Sequence, residues 1–439
     1  MRLLRMLLCC VLSLFIQLNQ ANALIQGFDF GDWVDSNADK ALQLTADDVY
    51  QITQAALAYH FQQQSQKNQN NPQIIRLYGN FGLFSQNTDY TSCHNNFDGE
   101  SKNPNDRWCA FTKALSAYPY AHVVLTIDAG QLKLFTNQNG QQALFKFMLA
   151  LQNSLPQGLN SVDDIVLLQE PGISPESYDH ISKRIQIFVD SMNTFYQENP
   201  ALTRVPFSVD IDVGDQSKLT YLLKLRKGAI YGLIGSVMNG DQSQNQDYIQ
   251  ALLQSFKAIY TYDLAHQLKA VVWLNIYPFY YSGVLDDSAV INARNLATTF
   301  SDSITTFKSY LLGHDVLTQS QLSHLHWGIG ETGWAHSSKT AWEDKNGKLL
   351  GYAKRYFGAL SPVLSDYLPQ QTYALLWFEI GDETGKTGCD SVYWQNGKAF
   401  AVDDGQLHMG VVGQNGIPLY GSISGVDHDP CDLWGCYQV

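Results

Sequence analysis

The chain has 439 residues, 45% of them hydrophobic and 12% aromatic, and a formal net charge of −13 at pH 7. That apolar fraction supplies a large core and excludes a disordered chain, and the length suits one decorated barrel domain. The acidic balance, with no basic stripe to offset it, excludes a nucleic-acid partner, whose phosphates would be repelled.

Residues 1–23 read as a signal peptide: Arg2 and Arg5, an apolar run from Leu7 to Leu18, and the small-x-small triplet Ala21-Asn22-Ala23. Cleavage is expected after Ala23. The apolar run is short for a bilayer span, so the expectation is a secreted protein, extracellular or periplasmic, with no membrane attachment after cleavage. Residues 24–439 are expected to form a single domain, with 389–439 as a C-terminal extension packed on it.

In chain order, Gly27 to Gly31 reads as a first strand. Thr45 to Phe61 reads as a helix, with Thr45 as its cap and Asp47 and Asp48 in its first turn. Ile74 to Tyr78 is a second strand and His122 to Ile127 a third. Ile165 to Gln169 is the fourth, backed by a helix over Pro175 to Tyr196. Val205 to Val209, Val271 to Ile276, Trp327 to Ile329 and Tyr373 to Phe378 complete eight. A further apolar stretch, Ala229 to Val237, leaves the numbering between the fifth and sixth strands open. Buried strands alternating with helices predict an α/β fold: a (β/α)8 TIM barrel with loop insertions and a short disulfide-containing C-terminal extension.

Cys9 and Cys10 fall in the leader, leaving Cys93, Cys109, Cys389, Cys431 and Cys436 for an oxidising compartment. Cys93–Cys109 is expected to close a long loop, with a second bridge among the last three. The cysteines and histidines show no metal-ligand spacing, so neither metal nor cofactor is expected.

Gly330-Glu331-Thr332-Gly333-Trp334 carries the strongest chemical signal. It places a carboxylate at the C-terminal tip of a strand, where barrel enzymes keep their chemistry, with glycines on both sides. Glu170 ends another apolar run far upstream. Two carboxylates on strand ends are what glycoside hydrolysis needs, about 5–5.5 Å apart for the retaining reaction. One attacks the anomeric carbon; the other holds a proton and gives it to the departing oxygen.

The Gly-Glu-Thr-Gly-Trp segment resembles the nucleophile motif of glycoside hydrolase family 17, the β-1,3-glucanase family of the (β/α)8 clan. Gly27-Phe-Asp-Phe-Gly31 is similar to that family's Gly-x-Asn-Tyr-Gly opening strand, and Arg76-Leu-Tyr-Gly79 to its second strand. Asn275-Ile-Tyr-Pro-Phe279 resembles its Asn-x-Tyr-Pro-aromatic strand, and Phe378-Glu379-Ile-Gly-Asp382-Glu383-Thr-Gly-Lys386 its last-strand pattern. Met409-Gly410-Val411 followed by Pro418 resembles its closing segment. The resemblance implies Glu331 as nucleophile, Glu170 as acid/base, and Glu383 and Lys386 as sugar-binding residues. It also implies a β-glucan oligo- or polysaccharide as partner.

Departures from the family pattern are Gln169 where Asn is usual, Pro171 directly after Glu170, and Gln406 in place of a family Glu. Gln169 retains an amide for a sugar 2-hydroxyl. Tyr78, Tyr277, Phe279, Trp334 and Trp377 are candidate sugar platforms, with core packing as the alternative for each. A charge cluster such as Glu379, Asp382, Glu383 and Lys386 also reads as a salt-bridged loop. Insertions at Ser85 to Trp108 and Ala229 to Gln246 suggest a cleft blocked at one end. Two other readings stay open: a non-catalytic carbohydrate-binding protein on a hydrolase scaffold, and a hydrolase of a different β-glycan.

Overall fold

Eight parallel strands close into one barrel in sequence order, each hydrogen-bonded to the next and the last to the first. The structure is a computed structural model. It describes residues 25–29, 45–64, 73–78, 93, 97–118, 120–127, 129–168, 180–212, 246–277, 289–333, 368, 372–378, 391–395 and 398–402. The strands are β1 (Ile25–Asp29), β2 (Gln73–Tyr78), β3 (Ala121–Thr126), β4 (Val162–Leu168), β5 (Phe207–Asp212), β6 (Val271–Asn275), β7 (His326–Thr332) and β8 (Thr372–Phe378). Between them run α1 (Ala46–Gln64), α2 (Pro104–Ser116), α3 (Ala129–Phe135), α4 (Gly140–Ser154), α5 (Ile181–Glu198), α6 (Gln246–Ala265), α7 (Ala289–Gly313) and the short α8 (Gln319–Leu322). The fold is the (β/α)8 TIM barrel the sequence predicts.

Parallel neighbours need a crossover, and helices supply it while covering the outer face of the sheet. α5 shows how. Ile181, Ile185, Phe188, Met192 and Phe195 recur at helical spacing and are all buried. Phe188 meets Phe207 of β5 edge-on at 5.4 Å and Phe135 of α3 at 6.3 Å. Each such ring removed from water contributes about 2–3 kcal/mol. At the start of α1, Thr45 and Asp48 cap reciprocally: the Asp48 amide donates to the Thr45 hydroxyl at 3.2 Å, and the Thr45 amide to Asp48 at 2.8 Å.

The expected Cys93–Cys109 disulfide is present and ties residue 93 to α2. Most strands begin or end a few residues from the sequence reading. β5 and β6 are direct neighbours, and the open stretch Ala229 to Val237 lies outside the described residues. So do residues 1–23, expected to be a signal peptide, and Cys389, Cys431 and Cys436. Not anticipated was an antiparallel hairpin of β9 (Ser391–Gln395) and β10 (Lys398–Val402), with Gln395 opposite Lys398. Asn396-Gly397 between them is the dipeptide that favours such a two-residue connection. Among the described residues, no helix is long and apolar enough to cross a membrane.

Candidate active site

Side chains alternate along a strand, so every second residue of each barrel strand faces the lumen. On the lower lumen side stand Ile74, Val124, Val166, Val271, Trp273, Ala374 and Leu376, a buried apolar cluster. Two residues further along the same faces the chemistry changes. Arg76 follows Ile74, Thr126 follows Val124 and Asn275 follows Trp273, all buried. Asp29 of β1 and Asp210 of β5 join them with no exposed surface. A polar layer thus rests on an apolar one at the C-terminal mouth.

Glu331 reaches this layer through an irregularity in β7. Ile329 pairs with Leu274, but the next β6 residue, Asn275, pairs with Glu331, so Gly330 is an extra residue in the ladder. A bulge of this kind re-aims the side chain that follows it. Without it, strict alternation would send Glu331 outward, since Gly328 and Gly330 already face the lumen. Both positions need glycine. A Cβ on Gly330 would lie 2.8 Å from the Asn275 side-chain oxygen and 2.9 Å from Arg76 Nη1, and one on Gly328 would lie 2.5 Å from the Trp273 ring.

Glu331 is 5% exposed, and its carboxylate is held at both oxygens. Tyr277, just past β6, donates its hydroxyl to Oε2 at 2.6 Å. Tyr78, the last residue of β2, donates its hydroxyl to Oε1. Two phenols, one from β2 and one just past β6, fix the carboxylate plane, each donating to one of its oxygens.

Arg76 organises the rest. Its Nε donates to the Thr126 hydroxyl at 3.0 Å and its Nη1 to the Gly330 carbonyl at 3.2 Å. Its Nη2 binds the Asp210 carboxylate directly. Asp29 lies 3.7 Å from Nε, and Glu331 Oε1 lies 3.7 Å from Nη1. The guanidinium also sits over the Tyr78 ring, 4.6 Å from its centre. One cation therefore joins groups from β1, β3, β5 and β7. Burial opposes its charge, but Asp210, Asp29 and Glu331 more than offset that and raise its pKa above the ordinary arginine value. Burial likewise lifts the Asp210 carboxyl above its usual range, with Arg76 pulling the other way.

Of the residues singled out from sequence, the structure brings Glu331, Tyr78 and Tyr277 into one constellation. Trp377 is placed differently. It is 1% exposed and shares its side of β8 with Leu375 in the outer core, while Ala374 and Leu376 take the lumen side. It offers no face to a ligand. Gln169, Glu170, Trp334, Glu383 and Lys386 lie outside the described residues, the first two directly following β4 in the chain. Arg76, Asp29, Asp210 and Asn275 were not read as site residues. Their signal was a charge or amide inside an otherwise apolar strand, which a barrel interior tolerates only when paired.

No protein-family model and no curated protein matches the chain. Among solved structures it is similar to β-glucuronidase from Ruminococcus gnavus. In the complex with D-glucuronic acid the identity is 10% and the TM-score 0.39, over 90% of this chain and 47% of that one. In the complex with D-glucaro-d-lactam the values are 11% and 0.41, over 90% and 48%. The chain thus spans about half the length of the enzyme it matches. The barrel stands on its own strand pairing rather than on that likeness.

Proposed function

We propose that this chain is an exported retaining β-glycosidase that hydrolyses or transglycosylates a β-1,3-glucan or related β-glucan. The observation that carries the reading is Glu331, re-aimed by a bulge into the barrel mouth and gripped by the hydroxyls of Tyr78 and Tyr277. A carboxylate so fixed is oriented before substrate arrives, which is what nucleophilic attack at a set carbon requires.

In the first step a Glu331 oxygen forms a bond to the anomeric carbon. The glycosidic C–O bond breaks, and the leaving oxygen takes the proton of Glu170. In the second, water or a sugar hydroxyl gives its proton to Glu170 and its oxygen to the anomeric carbon, and Glu331 departs as carboxylate. Gln169 would hold the 2-hydroxyl, Glu383 and Lys386 other hydroxyls, and Trp334 a sugar face. These roles rest on the family resemblance of the motifs. The phenols of Tyr78 and Tyr277 beside Glu331 and the acidic chain suit a neutral glycan.

Product analysis on a laminarin-type glucan and a panel of other β-glycans tests this. Glu331→Gln is expected to lose ~10³-fold or more in kcat. Glu170→Gln should lose ~10²–10⁴-fold, less on substrates with activated leaving groups. Equal turnover in wild type and both variants, or no turnover on any β-glycan, overturns the reading.

A further inference from the structure

We propose that Asp210 is a positioning residue that holds the Arg76 guanidinium off the Glu331 carboxylate, so that the nucleophile is steered by a nearby cation without being locked into an ion pair with it. The inference rests on the reading of Glu331 as nucleophile and assigns a role to a strand, β5, that the reading above does not use.

The geometry is a three-way competition for one cation. Arg76 has a fixed fork of donors. Nη2 is taken by Asp210 and Nη1 by the Gly330 carbonyl, while Nε goes to Thr126. Glu331 Oε1 stays 3.7 Å from Nη1, well beyond the ~2.7–2.9 Å of a direct charged hydrogen bond. In its place the Tyr78 hydroxyl occupies Oε1. Phenols hold a carboxylate yet can release it, whereas a desolvated bidentate guanidinium would compete with attack on carbon. Asp210, with no exposed surface, has no solvent to turn to, so its grip on Nη2 is firm.

Among the described residues, the titratable groups shown against this guanidinium are Asp29 from β1, Tyr78 from β2, Asp210 from β5 and Glu331 from β7, with Tyr277 after β6 bonded to the other oxygen of Glu331. Arg76 is the cation among them. Burial raises the Asp210 carboxyl above its ordinary range. Protonation of Asp210 would free Nη2 and let Arg76 move toward Glu331, so part of any activity lost in acid is expected to be lost through this grip.

The test compares Asp210→Asn, Asp210→Glu and Asp29→Asn with wild type. In a crystal structure of Asp210→Asn, Arg76 Nη1 should close on Glu331 to about 2.8 Å. On a hydrolysed β-glucan, kcat should fall roughly 10- to 100-fold at constant KM, as for an interaction acting on the chemical step alone. Asp210→Glu, which keeps a carboxylate for Nη2, should recover at least a third of wild-type kcat and leave Nη1 away from Glu331. Asp29→Asn should change kcat less than Asp210→Asn. An unchanged 3.7 Å separation in Asp210→Asn overturns the proposal, as does a KM-only effect or equal losses in Asp210→Asn and Asp29→Asn. Should the Asn variant not fold, closure of Nη1 onto Glu331 in the Glu variant overturns it. The crystallographic arm needs no substrate, so failure of the glycosidase reading and failure of this inference are told apart.

Discussion

The two ends of the barrel interior are both polar, and they are built on opposite principles. At the N-terminal end, Lys269, Asp163 and Tyr373 form a closed triangle. Lys269 donates to Asp163 at 3.1 Å and to the Tyr373 hydroxyl at 2.5 Å, and Tyr373 donates to Asp163 at 2.5 Å. One cation meets one carboxylate, and the Lys269 side chain is 36% exposed. Burial, with Lys269 beside them, keeps the imidazoles of His122 and His326 below their ordinary range. At the C-terminal end, one fully buried guanidinium faces three carboxylates. The lower cluster satisfies itself. The upper one concentrates negative charge where water is excluded, an arrangement that costs stability and marks sites of chemistry.

The largest expected effect breaks the upper cluster. Arg76→Met leaves Asp29 and Asp210 buried without their cation and should cost about 3–5 kcal/mol in urea unfolding. A loss below about 1 kcal/mol would show that the cluster does not depend on its charge. Next comes a pH effect from Asp164, which lies between the two ends under the Trp273 indole, whose Nε1 donates to it at 2.7 Å. Burial pushes its carboxyl up to about 7, only partly opposed by hydrogen bonds from Ser208 and Trp273. Because the folded value lies above the unfolded one, this contribution is full below the unfolded pKa of about 4 and is lost as pH rises toward 7. The slope is about 1.4 kcal/mol per pH unit. Asp164→Asn should flatten it, and an identical pH–stability profile in the variant would refute the assignment. Gly328→Ala, pressed against the Trp273 ring, should cost ~1–3 kcal/mol by overpacking, read as a lowered melting temperature. Smallest is Lys269→Met at the lower end, expected within ~0–1 kcal/mol because the pair is partly solvated. If it rivals Arg76→Met, the contrast between the two ends fails.

The barrel was legible because its strands are buried on both faces and so read as unbroken apolar runs such as Ile165 to Leu168 and Val271 to Leu274. Glu331, Tyr78 and Tyr277 were legible because glycine-flanked or strand-end polar residues stand out from such runs. The Arg76–Asp210 contact was not, since its partners lie 134 residues apart and each looks in isolation like a blemish in a strand. Trp377 stayed open between sugar platform and core packing for a simpler reason. Its facing depends on the parity of β8, and a shift by one residue exchanges lumen for outer core. The bulge at Gly330 was equally invisible, because glycine next to an acid signals a close approach without saying which way the ladder slips.

The apolar layer beneath the site has a consequence for traffic. Trp273 and its neighbours on β2, β3, β4 and β8 fill the barrel axis, so the cup is blind. Under the proposed glycosidase reading, a released sugar would have no rear exit and would back out through the opening by which the next one enters. Turnover in such a vessel should slow as product builds up, in a way that diluting the reaction relieves.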